Sequence, residues 1–340
     1  MNSLILANPG TGKTTTLASH VIELIEGGAA AKDILCITFT EKASAEMGQK
    51  IHELAAEKGL SQKIHDINIH TFHSYALSYL EEQGESYEVL GNNAIRYSIF
   101  RSFMKNNALN YSKEYILSDI VPKVENAIRY LKSYGITPKD IDLKKAKPEI
   151  EGAFAEEGIK NIDLEQQVAF AGYFLDAFSD YEDSKPRGYI DYNDMLLRFA
   201  AAKEKKKFKY VLVDELQDVN ELEAQIAIES GDELFLVGDR KQAIFGFQGG
   251  SIRNFEMIEK RLRPKKGKLL KNYRSTAAVI KYASQHFAAN TAHKGHAEEL
   301  EGFSAHRKEN GSVVVISTDR KGQENVARLC ITIRLIPSSK

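Results

Sequence analysis

The chain has 340 residues, 43% of them hydrophobic, and its 46 lysines and arginines against 47 aspartates and glutamates leave a net charge of −1. This composition excludes an intrinsically disordered or collagen-like chain and supplies apolar side chains for two or three domains. It also excludes a bulk basic field as the means of holding nucleic acid, so any such partner must meet a local surface.

Leu4–Leu6 is predicted as a short buried strand running into Ala7-Asn8-Pro9-Gly10-Thr11-Gly12-Lys13-Thr14, which fits a phosphate-binding loop with alanine in the first glycine position. Thr14–Glu26 follows as a helix with Leu17, Val21, Ile22 and Ile25 on one face, stopped by Gly27-Gly28. Gly10 and Gly12 let successive N–H groups turn inward on phosphate oxygens, and the helix N-terminus adds partial positive charge. Lys13 is expected to reach the outer phosphates of a nucleotide and Thr14 to offer its hydroxyl to Mg²⁺. No apolar run reaches the ~18 residues needed to span a bilayer. The glycine loop also stands where a signal peptide would carry its apolar segment, so the expectation is a soluble, cytoplasmic chain with no membrane partner.

Asp33–Thr40 is a nearly continuous apolar run of strand type, Glu41–Lys58 a helix, and Ile67–Thr71 a strand that enters a helix near Phe72. Alternation of this kind predicts a parallel sheet covered on both faces. Residues 89–188 instead repeat apolar side chains at helical spacing, as in Ile95, Ile99 and Phe103 or Ile120, Val124, Ile128 and Leu131, with Thr137-Pro138 as the cap and first turn of a further helix. The strands resume at Tyr210–Val213 and Glu233–Val237. The expected organisation is a discontinuous motor domain at 1–88 and 189–264, an inserted helical subdomain at 89–188, and a partial second α/β domain at 265–340. That last part would open with a basic turn RPKKGK, a strand at Leu269-Leu270 and a helix from Ser275, then continue with a strand at Val313–Ile316 and a helix at Glu324–Leu335. Cys36 and Cys330 lack metal-type spacing and read as reduced core residues. The run KEKKKFK at Lys203–Lys209 precedes a strand and reads as a solvated turn at the edge of the sheet away from the nucleotide.

Tyr210-Val211-Leu212-Val213-Asp214-Glu215 is four apolar residues feeding two carboxylates. A strand buried on both faces ends at the ligand edge of such a sheet, which brings Asp214 beside the phosphate loop. Asp214 is expected to hold Mg²⁺, and Glu215 to orient and deprotonate an attacking water.

Taken together, ANPGTGKT, CITFTEKASAEM, IHTFHS, VDELQDVN, VGDRKQAIFGFQGG and KNYRS resemble the first six motifs of the UvrD/Rep-like superfamily 1 DNA helicases, in family order, and YIDYNDML resembles a further family segment. The resemblance covers the chain to about Ser275. It implies a RecA-like P-loop NTPase that uses ATP and Mg²⁺ to move 3′ to 5′ along single-stranded DNA, unwinding a duplex that carries a 3′ single-stranded tail. By the same resemblance Gln242 senses the γ-phosphate, Arg274 reaches across from a second motor domain as an arginine finger, and Tyr273 stacks on adenine. Phe39, Phe245 and Phe247 pocket or stack bases, while Thr71, Phe72 and His73 belong to a motif that lines the DNA path.

The pattern departs from the family at several points. Thr15 stands near the base where many relatives have arginine, and Gln248 where many have arginine after the aromatic pair. No adenine-gripping glutamine segment precedes the loop, and the later motifs are not found before Lys340. The expectation is therefore the front half of a helicase, binding ATP and single-stranded DNA but not unwinding duplex alone. Its rival is a non-motor ATP- and DNA-binding module whose missing motor half is supplied by a partner chain. A P-loop kinase or GTPase fails on Glu215, Gln242 and the absence of a guanine-reading Asn/Thr-Lys-x-Asp.

Overall fold

A computed structural model describes residues 1–106, 110–156, 163–242, 252–289 and 303–307. The chain divides into two compact units, Met1–Leu270 and Lys271–Lys340.

The first unit is built on six strands: β1 (Ser3–Ala7), β2 (Ile34–Thr38), β3 (Asn68–Thr71), β6 (Phe208–Val213), β7 (Gly231–Gly238) and β8 (Lys265–Leu269). Two short strands, β4 (Glu88–Val89) and β5 (Tyr189–Ile190), pair separately with each other. The order across the main sheet is β3-β2-β6-β7-β1-β8, with every pairing parallel. Alternate residues of one strand serve opposite cores, as the two-residue period of a strand requires. Leu35 and Ile37 face one core with Phe72, Tyr75, Leu196, Phe199 and Phe255. Ile34 and Cys36 face the other with Leu17, Val21, Ile22, Met47 and Ile51. These side chains come from α1 (Lys13–Glu26) and α2 (Glu41–Glu57) on the second face, and from α3 (Phe72–Glu82), α9 (Tyr192–Ala201) and α11 (Ile252–Leu262) on the first. Cys36 is fully buried, and burial pushes its thiol up to about 12, as expected of an unreactive core residue.

The insertion comprises α4 (Asn92–Lys105), the short α5 (Lys113–Tyr115) running through a π-helical turn at Ile116–Ile120 into α6 (Val121–Ser133), then α7 (Ala146–Glu156) and α8 (Leu164–Asp183). Ile95, Ile99, Phe103, Ile116, Ile120, Val124, Ile128 and Phe178 form a core of its own. Thr137-Pro138 opens only a single 3-10 turn, Pro138–Asp140, closed by a reciprocal Thr137–Asp140 cap rather than a longer helix.

Where the insertion meets the sheet domain, Asp191 and Asp194 form the capping box of α9 and at the same time receive two lysines. Lys132 Nζ donates to Asp191 Oδ2 (2.5 Å), Asp194 Oδ1 (2.6 Å) and Glu182 Oε1 (2.8 Å). Lys185 Nζ reaches Glu182 Oε2 (2.6 Å), Asp194 Oδ2 (2.7 Å) and Asp191 Oδ2 (3.1 Å), and the Tyr181 hydroxyl donates to Asp191 Oδ2 (2.6 Å).

Two sequence expectations change at the far edge of the sheet. Lys265–Leu269 is a strand, not a turn, and it pairs with β1 over Ser3–Ala7, so it closes the first sheet instead of opening a second domain. The compact-unit boundary falls after Leu270 rather than at residue 265. Gly267 lets the Ile5 side chain lie close over this pairing, since a Cβ there would lie 2.8 Å from Ile5 Cδ1. The exposed lysines on either side suit an edge strand that must not recruit another. In the KEKKKFK run, Lys205 pairs with Glu229 and donates to the Ala200 carbonyl at 2.9 Å, before the first residue of β6.

The second unit contains β9 (Lys271–Asn272), parallel to β10 (Ser304–Ala305), and α12 (Ala277–Ala289). The strand and helix expected at Val313–Ile316 and Glu324–Leu335, and Cys330, lie outside the described residues. No helix among the described residues is long and apolar enough to cross a membrane.

Candidate functional site

The loop after β1 takes the conformation its glycines permit. Gly10 and Gly12 have φ of 76° and 84°, in the left-handed region that side chains disfavour, and Gly12 caps α1. The buried Thr11 hydroxyl donates to the Asn8 carbonyl (2.6 Å) and Thr16 Oγ1 to the Gly12 carbonyl (3.0 Å), which fixes the loop against the first helical turn. Ala7 and Asn8 are buried beneath it, Pro9 is exposed, and Thr15 faces out from the start of α1.

Lys13 and Thr14 converge on the carboxylates at the end of β6. Lys13 Nζ forms an ion pair with Glu215 Oε2, and Thr14 Oγ1 donates to Asp214 Oδ2 at 3.3 Å. Glu215 has φ 50° and ψ 48°, a left-handed conformation unusual for a residue with a side chain. Strain of this kind costs about 1–3 kcal/mol and persists only where surrounding contacts impose it. Here it turns the Glu215 side chain onto Lys13, while the Glu215 N–H donates to Asp214 Oδ1 at 2.8 Å.

One lysine does not balance this group of acids. Burial, with Glu215 beside it, pushes Asp214 up to about 6 against the opposing pull of the Glu215 N–H, Lys13 and Thr14. Burial and Glu215 likewise push Asp218 up to about 6, and among the described residues its Oδ1 has no hydrogen-bond partner. An oxygen-only donor set short of positive charge is the environment a hard divalent cation such as Mg²⁺ fits.

Strand order supplies a further element. β7 lies between β1 and β6, so the turn after Gly238 emerges between the phosphate loop and the acid pair. Gln242 ends that turn and donates from Nε2 to Asp239 Oδ2 at 2.8 Å. Asp239 N–H donates to Gln217 Oε1 (2.9 Å), and Gln217 Nε2 donates to Glu215 Oε2 (2.8 Å). Gln217 was not among the residues expected from sequence. Its only local signal is a polar residue two positions past an acid pair, in a stretch otherwise destined for burial.

A cleft of about 400 Å³ opens between the sheet domain and the insertion, lined by Phe39, His73 and Tyr192 on one side and by Arg96 and Arg129 on the other. Both arginines are held by the buried Glu125, Arg96 Nε at 2.6 Å and Arg129 Nη2 at 2.8 Å. His73 meets Tyr192 edge-on at 5.5 Å between ring centroids. Burial pushes the His73 imidazole down to about 4, so it is neutral at pH 7. Tyr192 is 49% exposed, and it too was missed: an aromatic at the first position of a helix carries no sequence signal of facing a cleft.

Two further residues expected along the same path are engaged within the fold. Thr71 Oγ1 caps α3 by accepting from Ser74 N–H (3.1 Å) and donates to Glu41 Oε1 (2.9 Å), leaving the residue 5% exposed. Phe72 is 2% exposed, packs in the core and also contributes to the wall of the cleft. Phe245, Phe247 and Gln248 lie outside the described residues. Tyr273 and Arg274 belong to the second unit, where both are exposed. There the Asn272 side chain accepts the Arg274 N–H at 2.8 Å, and the Tyr273 ring lies 4.9 Å from His306.

A parallel sheet with a phosphate loop after β1 and an Asp-Glu pair after β6 defines a RecA-like P-loop domain. Residues 1–263 match the UvrD/REP helicase N-terminal domain, and the chain belongs to that family. It is 27% identical over 287 residues to a probable DNA helicase of Mycoplasma pneumoniae, covering 83% of this chain and 52% of that protein. It is 28% identical over 309 residues to DNA helicase II of Haemophilus influenzae, covering 86% and 39%. Over 323 residues it is 28% identical to the ATP-dependent DNA helicase UvrD1 of Mycobacterium bovis, covering 86% and 38%. The chain thus spans between 38% and 52% of the length of these relatives.

Proposed function

We propose that this chain is the ATP-binding motor portion of a UvrD-type DNA helicase, which couples hydrolysis of ATP-Mg to 3′ to 5′ movement along single-stranded DNA. The observation that carries this reading is the convergence of Lys13 and Thr14 on Glu215 and Asp214 at one edge of the sheet. Phosphates in the loop compete with Glu215 for the Lys13 ammonium and draw it onto their outer oxygens. Glu215, released from that pair, accepts the proton of the attacking water. Thr14 and Asp214 would hold Mg²⁺, which neutralises charge on the transferring phosphoryl group. Gln242, at the end of the turn between loop and acids, is suited to register the γ-phosphate. Arg274 and Tyr273 are assigned to the γ-phosphate and the adenine by resemblance, as parts of the second unit.

The single strand is assigned to the cleft. Phe39, His73 and Tyr192 offer ring faces and edges to bases, and Arg96 and Arg129 offer charge to the backbone, a combination that tolerates any sequence. Phe245 and Phe247 extend the same assignment by resemblance.

Steady-state ATP hydrolysis with and without single-stranded DNA tests the reading. Turnover stimulated by DNA, and lost in Glu215→Gln while nucleotide affinity is kept, is expected. Wild-type turnover in Glu215→Gln contradicts it.

A further inference from the structure

Gln217 is 2% exposed and joins two groups that lie 27 positions apart in numbering, Glu215 and Gln242. Its amide nitrogen donates to Glu215 Oε2 (2.8 Å) and extends to Asp218 Oδ2 (3.4 Å). Its amide oxygen accepts the Asp239 N–H (2.9 Å), and Asp239 Oδ2 accepts Gln242 Nε2 (2.8 Å). The chemistry admits only this orientation of the amide. Turned round, its oxygen would face two carboxylates and its NH₂ would face an N–H. Gly238 makes room for the bridge, because a Cβ there would lie 3.0 Å from Gln217 Oε1, 2.9 Å from Leu216 Cβ and 3.0 Å from Phe255 Cε2.

We propose that Gln217 is a positioning residue for ATP hydrolysis: it holds Glu215 for turnover through its amide nitrogen and ties it, through Asp239, to the turn that carries Gln242. The proposal rests on Glu215 being the base. The Glu215 carboxylate is held by Lys13 and Gln217. Once phosphates draw Lys13 away, Gln217 is, among the described residues, the side chain whose hydrogen bond keeps the carboxylate from rotating. The same amide makes a shift of the Gln242 turn felt at Glu215, since Asp239 cannot move without pulling on Gln217 Oε1.

ATP hydrolysis at saturating single-stranded DNA, with nucleotide affinity by fluorescence titration, tests this on the full chain as wild type, Gln217→Met, Gln242→Ala and the double variant. Methionine keeps the volume and donates nothing. The expected result is a kcat about 10- to 100-fold lower in Gln217→Met, the usual range for a residue that orients a reacting group. KM and nucleotide Kd should stay within about threefold of wild type. The double variant should fall little below the worse single, because both substitutions cut one chain of contacts. An unchanged kcat, a loss confined to KM and Kd, or losses that multiply would overturn the proposal. If Gln217→Met does not fold, Gln217→Glu serves. It keeps an acceptor for the Asp239 N–H but sets a second carboxylate against Glu215, so a similar kcat loss is expected and a wild-type kcat overturns the proposal. Glu215→Gln is the control that separates the two failures. Lost turnover there with unaffected Gln217 variants refutes the relay alone, whereas normal turnover there refutes the base assignment beneath it.

Discussion

Two buried groups of charge in the first unit look alike by composition and behave oppositely. At the joint between insertion and sheet domain, Glu182, Asp191 and Asp194 lie close enough together to ligate a metal ion, yet the Lys132 and Lys185 ammonium groups already occupy their midst. Burial works against the Asp191 carboxylate, but Lys132 and Lys185 outweigh it and hold the group below the usual range. Lys132 shows the mirror image: burial opposes its charge, the three acids prevail, and its ammonium is held above the usual range. At the phosphate loop, Asp214, Glu215 and Asp218 share one lysine, and two of the three carboxylates are pushed up to about 6. A structural joint that has brought its own cations thus stands against a site left with more carboxylates than cations. Proximity of acids does not distinguish the two. The balance of charge around them does.

The largest expected effect breaks the loop side of the comparison. Lys13→Ala removes the ammonium that the proposed function directs at the phosphates, so nucleotide binding should weaken by about 2–5 kcal/mol, the range for deleting one partner of a buried charge pair, and turnover should be lost. Calorimetric titration with ATP-Mg reads this directly.

Lys132→Met tests the joint. It strands three acids beside one lysine, and breaking a buried network in this way costs about 3–5 kcal/mol of stability. Denaturant unfolding should register that loss while nucleotide affinity stays at the wild-type level. The acid limb of the stability profile should change as well. Because the folded chain holds Asp191 below its usual value, its contribution is present above about pH 4 and disappears as pH falls further, and Lys132→Met should flatten this limb.

Tyr192→Ala sharpens the comparison at the cleft between the two regions. The ring is half exposed, so its loss should leave the melting temperature unchanged and weaken single-stranded DNA binding by about 1–3 kcal/mol, as for one stacking platform. Equilibrium anisotropy with a labelled oligonucleotide is the measurement.

Glu223→Gln should have the smallest effect and the opposite pH signature to the joint. Glu223 closes the capping box of α10 (Glu221–Glu229) with Asn220, and burial pushes it up to about 7. Unfolded, it loses its proton near about pH 4.3. Between those values the folded chain holds more protons, so stability falls as pH rises through the window and the penalty is complete above about pH 7. Replacing the acid by an amide should raise stability at pH 8 by on the order of 1 kcal/mol and leave it nearly unchanged at pH 4, by thermal melting at the two pH values.

The two regions also differ in how much of them the sequence displays. The phosphate loop is eight consecutive residues whose glycines, lysine and threonine act at fixed spacing, and Asp214-Glu215 ends an apolar strand, so both were legible without tertiary information. Ile34–Thr38 and Val211–Val213 were legible for the same reason, since a strand buried on both faces must be apolar throughout. The joint depends on Lys132 meeting Asp191 across 59 positions, and nothing local to Lys132 distinguishes it from a solvated lysine on the polar face of α6. Strand order was hidden likewise: that β7 separates β1 from β6, and so brings the turn ending in Gln242 out between the strands that carry loop and acids, is a property of pairing rather than of any segment. β8 was missed because three of its five residues are lysines, a composition that reads as a turn until Gly267 is seen to accommodate Ile5. The IHTFHS motif fixes where its segment runs but not how each side chain is used: Phe72 and His73 both line the cleft, whereas Thr71 is tied up in capping α3.

Thermal unfolding of wild type, Lys13→Ala and Lys132→Met, each with and without saturating ATP-Mg, tests the distinction between the two regions most directly. A ligand that binds only the folded chain, present at about 100 times its Kd, stabilises it by about 2.7 kcal/mol. The wild type should show that increment. Lys132→Met should melt much lower yet keep the increment in full, and Lys13→Ala should show none, whatever its own melting temperature without nucleotide. An undiminished increment in Lys13→Ala, or its loss in Lys132→Met, would contradict the account.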